Sequence, residues 1–206
     1  MKQLYIILIV ANFLTGCASD QYARGVSPLE LDPGEQGLIG GIGIGGHDII
    51  AMCDLMVRDM LSTPAITEGS QSPQVIIDSV YFKNESSQRI NKNLITDRLR
   101  IGLNQASRGR LVFVGRHYSD MVAKERQLKR SGTVDVATTG LTRAQAGGDF
   151  RLGGRITSLD QRSPKTGLIQ RYTQIIFEMV DLERGTVIWS NQYSISRAAA
   201  DDIVYR

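Results

Sequence analysis

Residues 150–196 fall into three stretches in which apolar and polar side chains alternate one by one, a period of two that a helix cannot use. Over 150–159, Phe150, Leu152 and Ile156 share one face and Arg151 and Arg155 the other. Over 170–181, Ile175, Phe177 and Met179 oppose Tyr172, Gln174 and Glu178, and over 186–196 the apolar set is Val187, Trp189, Tyr193 and Ile195. The connection Asp181-Leu182-Glu183-Arg184-Gly185-Thr186 carries hairpin chemistry, with Gly185 where a left-handed residue is wanted. Three antiparallel strands with one apolar face follow, and that face needs a cover from elsewhere in the chain.

The cover comes from the residues before them. A helix is expected over 48–61, where Ile49, Cys53, Met56 and Met60 make one face beside Ile50, Val57 and Leu61, so Cys53 reads as a small buried hydrophobe. Pro64 ends it. Residues 74–82 (QVIIDSVYF) are apolar on both faces, with Val75, Ile77 and Tyr81 against Ile76, Val80 and Phe82, as in a central strand. Asn91 or Asn93 caps a helix over 94–106 whose stripe is Ile95, Leu99 and Leu103, flanked by Leu94 and Ile101. A second strand follows at 110–114 (RLVFV), then a helix over 120–130 with Met121, Val122 and Leu128 inward and Lys124, Arg126, Lys129 and Arg130 outward. Residues 131–148 show no period and are expected to be a mobile loop. The fold class is α/β (α+β): one small domain, a mixed five-stranded sheet with about three packed helices. A chain of 206 residues suits this, since roughly 70% of its surface is buried on folding without staples.

The first residues concern destination. Lys2 precedes the apolar run 4–10, too short for a membrane span of ~20 residues and right for an export signal. Leu14-Thr15-Gly16-Cys17 then resembles the bacterial lipobox, in which the cysteine receives a diacylglycerol and becomes the first mature residue. Acyl chains contribute ~0.8 kcal/mol per buried methylene, so such an anchor is effectively permanent. Ala18, rather than Asp, follows the cysteine, which points to the outer membrane. The organisation expected is a signal peptide at 1–16, lipidated Cys17 with a Gly- and Pro-containing linker over 17–46, and a globular domain over 47–206. Fully extended, the linker spans ~95–105 Å; as a flexible coil it spans about 30 Å. Its Gly41-Ile42-Gly43-Ile44-Gly45-Gly46 matches a dinucleotide fingerprint but lacks the preceding strand and the later acidic residue, so Ile39, Ile42 and Ile44 are read as docking on the domain.

Catalytic chemistry is not assembled. The chain has 2 His and 2 Cys, and His47 and His117 lie far apart. Asp48 beside His47 caps a helix. Asp201-Asp202 and the Asp78/Asp181 strand carboxylates are the conceivable acid–base pairs, and no metalloprotease, nucleophile-elbow or C-x-x-C motif accompanies them. We therefore expect a non-enzyme with no metal, no cofactor and no small-molecule substrate. With 24 basic and 21 acidic residues dispersed along the chain, and export to an envelope compartment, nucleic acid is excluded as a partner. The candidate partner-binding residues are Arg151, Arg155, Arg162, Lys165 and Arg171, with Tyr172 alongside and Asp160 the nearby acid. Their planar donor forks suit an acidic protein surface or glycan carboxylates, and the alternative is a solvated sheet face.

Several segments together resemble a family. Asp48 to Asp59, the run Tyr81-Phe82-Lys83-Asn84, Gly153-Gly154-Arg155, Phe177-Glu178-Met179-Val180-Asp181-Leu182, Val187-Ile188-Trp189-Ser190 and the closing Val204-Tyr205-Arg206 look like the penicillin-binding-protein activator lipoproteins of the LpoB type. The resemblance implies a domain like the N-terminal domain of TolB. It implies an outer-membrane lipoprotein facing the periplasm that docks on the small regulatory domain of a bifunctional, inner-membrane penicillin-binding protein, stimulating peptidoglycan synthesis. The alternatives are a structural lipoprotein subunit of a secretion-pore or flagellar-ring assembly, or a module that binds peptidoglycan itself.

Overall fold

The structure, a computed structural model, describes residues 29–37, 41–69, 71–138 and 140–200. Cys17, the signal segment, Ile39, Asp201, Asp202 and the closing Val204-Tyr205-Arg206 lie outside the described residues. The chain divides into two compact units, Met1–Asp32 and Pro33–Arg206, and every element below belongs to the second.

In chain order these are α1 (Gly46–Ser62), α2 (Pro64–Thr67), β1 (Gln74–Ile76), β2 (Phe82–Asn84), α3 (Lys92–Ser107), β3 (Val112–Phe113), a 3₁₀ turn (Arg116–Tyr118), α4 (Ser119–Arg130), β4 (Phe150–Arg162), β5 (Ile169–Asp181) and β6 (Val187–Ala199). The class is α+β with a mixed sheet in the order β3-β1-β4-β5-β6, β2 lying beside β1 on the same edge of β4. β1 and β2 run parallel to β4, and β4, β5 and β6 form the expected antiparallel meander.

Leu152, Ile156, Ile175, Phe177, Met179 and Trp189 all face one side of the meander and are buried. Met52, Cys53, Met56 and Met60 of α1 and Ile95, Leu99 and Leu103 of α3 close over them in one continuous core. α1 starts because the Asp48 carboxylate, in its first turn, accepts the Gly45 N–H at 2.8 Å. It stops at Thr63, after which Pro64 opens α2, where its missing N–H is no loss. Asn91 is the residue that caps α3, its side chain accepting from Asn93 N. The same helix ends on Arg108 at φ 50 and Gly109 at φ 84.

Five expectations change. The strand at 74–82 is interrupted: Ile76 pairs with Arg151 and Phe82 with Gly154, so the surplus residues loop out and the sheet has six strands. Asp78 Oδ1 accepts Val80 N, and Ser79 O accepts Phe82 N, closing that loop and leaving Val80 and Tyr81 exposed. The strand at 110–114 shortens to Val112–Phe113. Helix 120–130 forms, yet Met121 and Val122 stay exposed, because α4 lies beside β3 at the end of the sheet rather than over the core. Nor is the segment 131–148 left loose throughout: Arg126 and Arg130 grip the carbonyls of Thr142 and Arg143. Val187 is exposed too, since a register shift near Met179 and Val180 sets it opposite Val180, off the face that Trp189 occupies.

The glycine-rich segment before α1 is fastened at its end. Ile44 packs on the core, and the Gln88 amide both accepts from Ile44 N at 2.7 Å and donates to Ile44 O at 3.1 Å. Gly43 lies beneath that amide, where a Cβ would collide with it. Arg197 Nη1 of β6 donates to Gly43 O at 2.7 Å.

Candidate docking surface

Alternation along β4, β5 and β6 gives the sheet a second face, opposite the core. It carries Arg151, Arg155, Leu159, Tyr172, Gln174 and Gln192, of which Arg155, Leu159, Tyr172 and Gln192 are exposed.

The five basic residues read from the sequence do not share this face. Arg151 and Arg155 project from it. Arg162 and Arg171 fall in the opposite alternation, in register with Ile169 and Asp160, on the side where Leu152 and Ile156 meet the core. Lys165 lies in the turn between β4 and β5 and is exposed. The physical reason is the period itself: an odd separation along one strand reverses the face, and the hairpin pairing carries that parity onto β5.

Arg151 is engaged. Its Nη2 donates to Asp78 at 2.7 and 2.9 Å, and its guanidinium lies 4.4 Å from the centre of the Tyr81 ring. The pair clamps the looped-out residues between β1 and β2 onto β4. Arg171 is engaged as well, donating to Asp160 at 2.7 and 2.8 Å, while Ser87 Oγ donates to Asp160 at 2.8 Å. The Arg171 hydrogen bonds, aided by Ser87, hold the Asp160 carboxyl below the usual carboxylate range. Arg155 is exposed, and its neighbour in register on β2 is exposed Lys83. Local spacing does not mark Lys83 as a docking residue, because its approach to Arg155 depends on the parallel pairing of two segments about seventy residues apart.

The remaining candidates are structural. Asp78 serves Arg151, and Asp181 Oδ1 accepts Glu183 N and Arg184 N at the turn before β6, where Gly185 has φ 67 as expected. Buried Asp48 takes both Nη atoms of Arg197, at 2.7 and 2.9 Å, and His47 Nε2 at 3.1 Å, so His47 braces the start of α1. The His117 ring packs on Tyr118. Cys53 is fully buried, and burial pushes its thiol up to about 12, the opposite of an activated nucleophile. Among the described residues, no three His, Cys, Asp or Glu side chains are grouped to hold a metal, and no helix is long and apolar enough to cross a membrane.

A family model described as peptidoglycan-synthase activator LpoB matches residues 48–195, from the first turn of α1 well into β6. The chain belongs to the LpoB family. No curated protein matches it. Among solved structures, the LpoB C-terminal domain from Escherichia coli is 16% identical, covering 73% of this chain and 99% of that one with a TM-score of 0.43. The Salmonella enterica LpoB C-terminal domain is 15% identical, covering 72% and 98% with a TM-score of 0.43. The lipoprotein GNA1162 from Neisseria meningitidis is 16% identical, covering 62% and 84% with a TM-score of 0.33. LpoB is by its description an activator of another enzyme, and its match takes in the Gly153-Gly154-Arg155 run and both hairpins of this domain.

Proposed function

We propose that this chain is an outer-membrane lipoprotein, anchored through Cys17 and facing the periplasm, that docks on a bifunctional penicillin-binding protein of the inner membrane and stimulates its peptidoglycan synthesis. The observation that carries this reading is the LpoB family match across nearly the whole described domain. Stimulation follows if the domain binds the synthase's active conformation more tightly than its resting one, because only differential affinity shifts a population. The tether concentrates the domain near its target. Fully extended, the roughly 26 residues from Cys17 to Gly43 span at most ~85–95 Å, which bounds how far Gly43 lies from the membrane anchor.

The docking residues we assign are Arg155, its neighbour Lys83 and the turn residue Lys165, which are exposed. Arg151 positions the Tyr81 loop beside them. Arg162 and Arg171 fall on the other side of the hairpin, where Arg171 holds Asp160. Exposed cations steer an acidic partner and contribute little to folding, so reversing them separates binding from stability. The Lys83→Glu/Arg155→Glu variant is expected to melt like the parent, bind a purified bifunctional synthase at least tenfold more weakly, and lose stimulation of glycan polymerisation. Unchanged binding removes this surface. Failure of the parent to bind or stimulate any such synthase overturns the function itself. The anchor is checked separately: Cys17→Ser should abolish incorporation of labelled fatty acid, and equal labelling of the two chains refutes lipidation.

A further inference from the structure

β3 is the terminal strand of the sheet. On its inner side Val112 N donates to Pro73 O and Val114 N to Val75 O. Alternation turns the N–H and C=O of Phe113 the other way, outward. On that outward side a groove of about 530 Å³ runs between β3, α4 and residues 142–146, with Val112, Val114, Val122, Ala144 and Ala146 along it. This volume lies within the range of ligand-sized sites.

Arginines surround the groove without anions. Arg126 donates through Nη1 to Thr142 Oγ1 at 2.6 Å, and through Nη2 to Thr142 O at 3.0 Å and Arg143 O at 3.1 Å. Arg130 Nη2 donates to the same two carbonyls, at 2.9 and 3.3 Å. Two guanidiniums thus converge on neutral acceptors, and Arg116 lines the same groove. No carboxylate is among the lining residues, and among the described residues none pairs with Arg116, Arg126, Arg130 or Arg143. These hydrogen bonds hold the 142–144 segment in place while leaving the positive charge uncompensated.

We infer that this groove receives an extended acidic segment of a partner protein, added as a short strand along β3 with its carboxylates toward Arg116 and the Arg126–Arg130 pair. Three features meet there: an unpaired strand edge, an apolar wall for alternate side chains, and uncompensated cations. A free anion or a lipid headgroup uses the cations and leaves the backbone groups of Phe113 unanswered. The inference does not depend on the synthase reading and concerns the opposite end of the sheet from β6.

The probes are two fluorescent eight-residue peptides, one alternating Glu and Val and the other Lys and Val, titrated into the full chain in detergent at low salt. The acidic peptide is expected to bind with a Kd below 1 mM, to shift the amide resonances of residues 112–116, and to bind at least tenfold more tightly than the basic one. N-methylation of its alternate residues in one register should weaken it at least tenfold, as should Arg116→Glu. Should that variant prove unstable, screening of parent binding by 0.5 M salt replaces it. No binding of the acidic peptide up to 1 mM, equal binding of both peptides, or shifts confined to other residues overturns the inference. Charge-dependent binding that ignores N-methylation also overturns it, leaving an anion site alone. A chain that stimulates a synthase and ignores the acidic peptide loses this inference and keeps the function proposed above.

Discussion

The ring of Phe82 lies over Gly154, its partner in register on β4, so closely that a Cβ on Gly154 would overlap the ring and come within 2.6 Å of Ile176 O. The second glycine of Gly153-Gly154-Arg155 is therefore the floor on which Phe82 packs, 5.5 Å from the Phe177 ring. Gly154→Ala is expected to cost about 1–3 kcal/mol through overpacking. Gly153→Ala meets only Tyr81 O at 3.6 Å and should stay within roughly 1 kcal/mol of the parent. Denaturant midpoints by circular dichroism compare them, and equal losses would refute the packing argument.

Asp59 joins α1 to β6, one carboxylate oxygen accepting from Trp189 Nε1 at 2.7 Å and from Asn191 Nδ2 at 2.8 Å. Trp189→Phe keeps most of the ring volume but leaves that half-buried anion short of a donor, and should cost about 1.5–3 kcal/mol. Trp189→Ala should cost roughly 3–5 kcal/mol. Chemical denaturation followed in the far ultraviolet ranks the two, and a Trp189→Phe variant as stable as the parent would show that the Asp59 bond contributes nothing.

Asp160 has a folded-state pKa below its unfolded one, owing first to Arg171. Its contribution is thus present above about pH 4, the unfolded value, and fades as pH falls through the lower folded value. The pair is partly exposed, so the contribution is about 1 kcal/mol or less. Asp160→Asn should be slightly less stable than the parent at pH 7 and converge with it near pH 2. A gap that persists at pH 2 contradicts the ion-pair origin.

In a Cys17→Ser chain Cys53 is the remaining thiol. Being buried and held protonated up to about 12, it should react with a maleimide at pH 8 at least 100-fold more slowly in the native state than in denaturant. A thiol whose pKa rises on folding makes stability fall once pH exceeds the unfolded value of about 8.5, by up to ~1.4 kcal/mol per pH unit. The parent should lose more stability than Cys53→Ala between pH 9 and 10.5, and parallel curves would refute the shift.

The meander, α1 and α3 were legible because burial on one side imposes a period of two on strands and of 3.6 on helices, as at Ile175, Phe177 and Met179 or Ile95, Leu99 and Leu103. The break between β1 and β2 was not, because QVIIDSVYF is apolar on both faces and carries no period to interrupt. The basic cluster was half legible. Its residue types stood out, but counting from Arg155 to Arg171 around a turn does not reveal that they emerge on opposite sides of the sheet. Lys83 and the Arg126 grip on Thr142 depend on contacts between distant segments, for which local spacing holds no signal.

The fastening of Gly43 and Ile44 also decides how the domain bears load. Tension arriving along the chain from its N-terminal side does not reach the first turn of α1 directly. It meets the Gln88 amide, which holds both backbone groups of Ile44, and Arg197, which joins Gly43 O to Asp48. Force therefore divides between the segment around Gln88 and the far end of β6, and several hydrogen bonds must fail together before the helix can be drawn away from the core. A domain pulled by its leading end yields as a block, with its outer sheet face undisturbed until the clasp gives way.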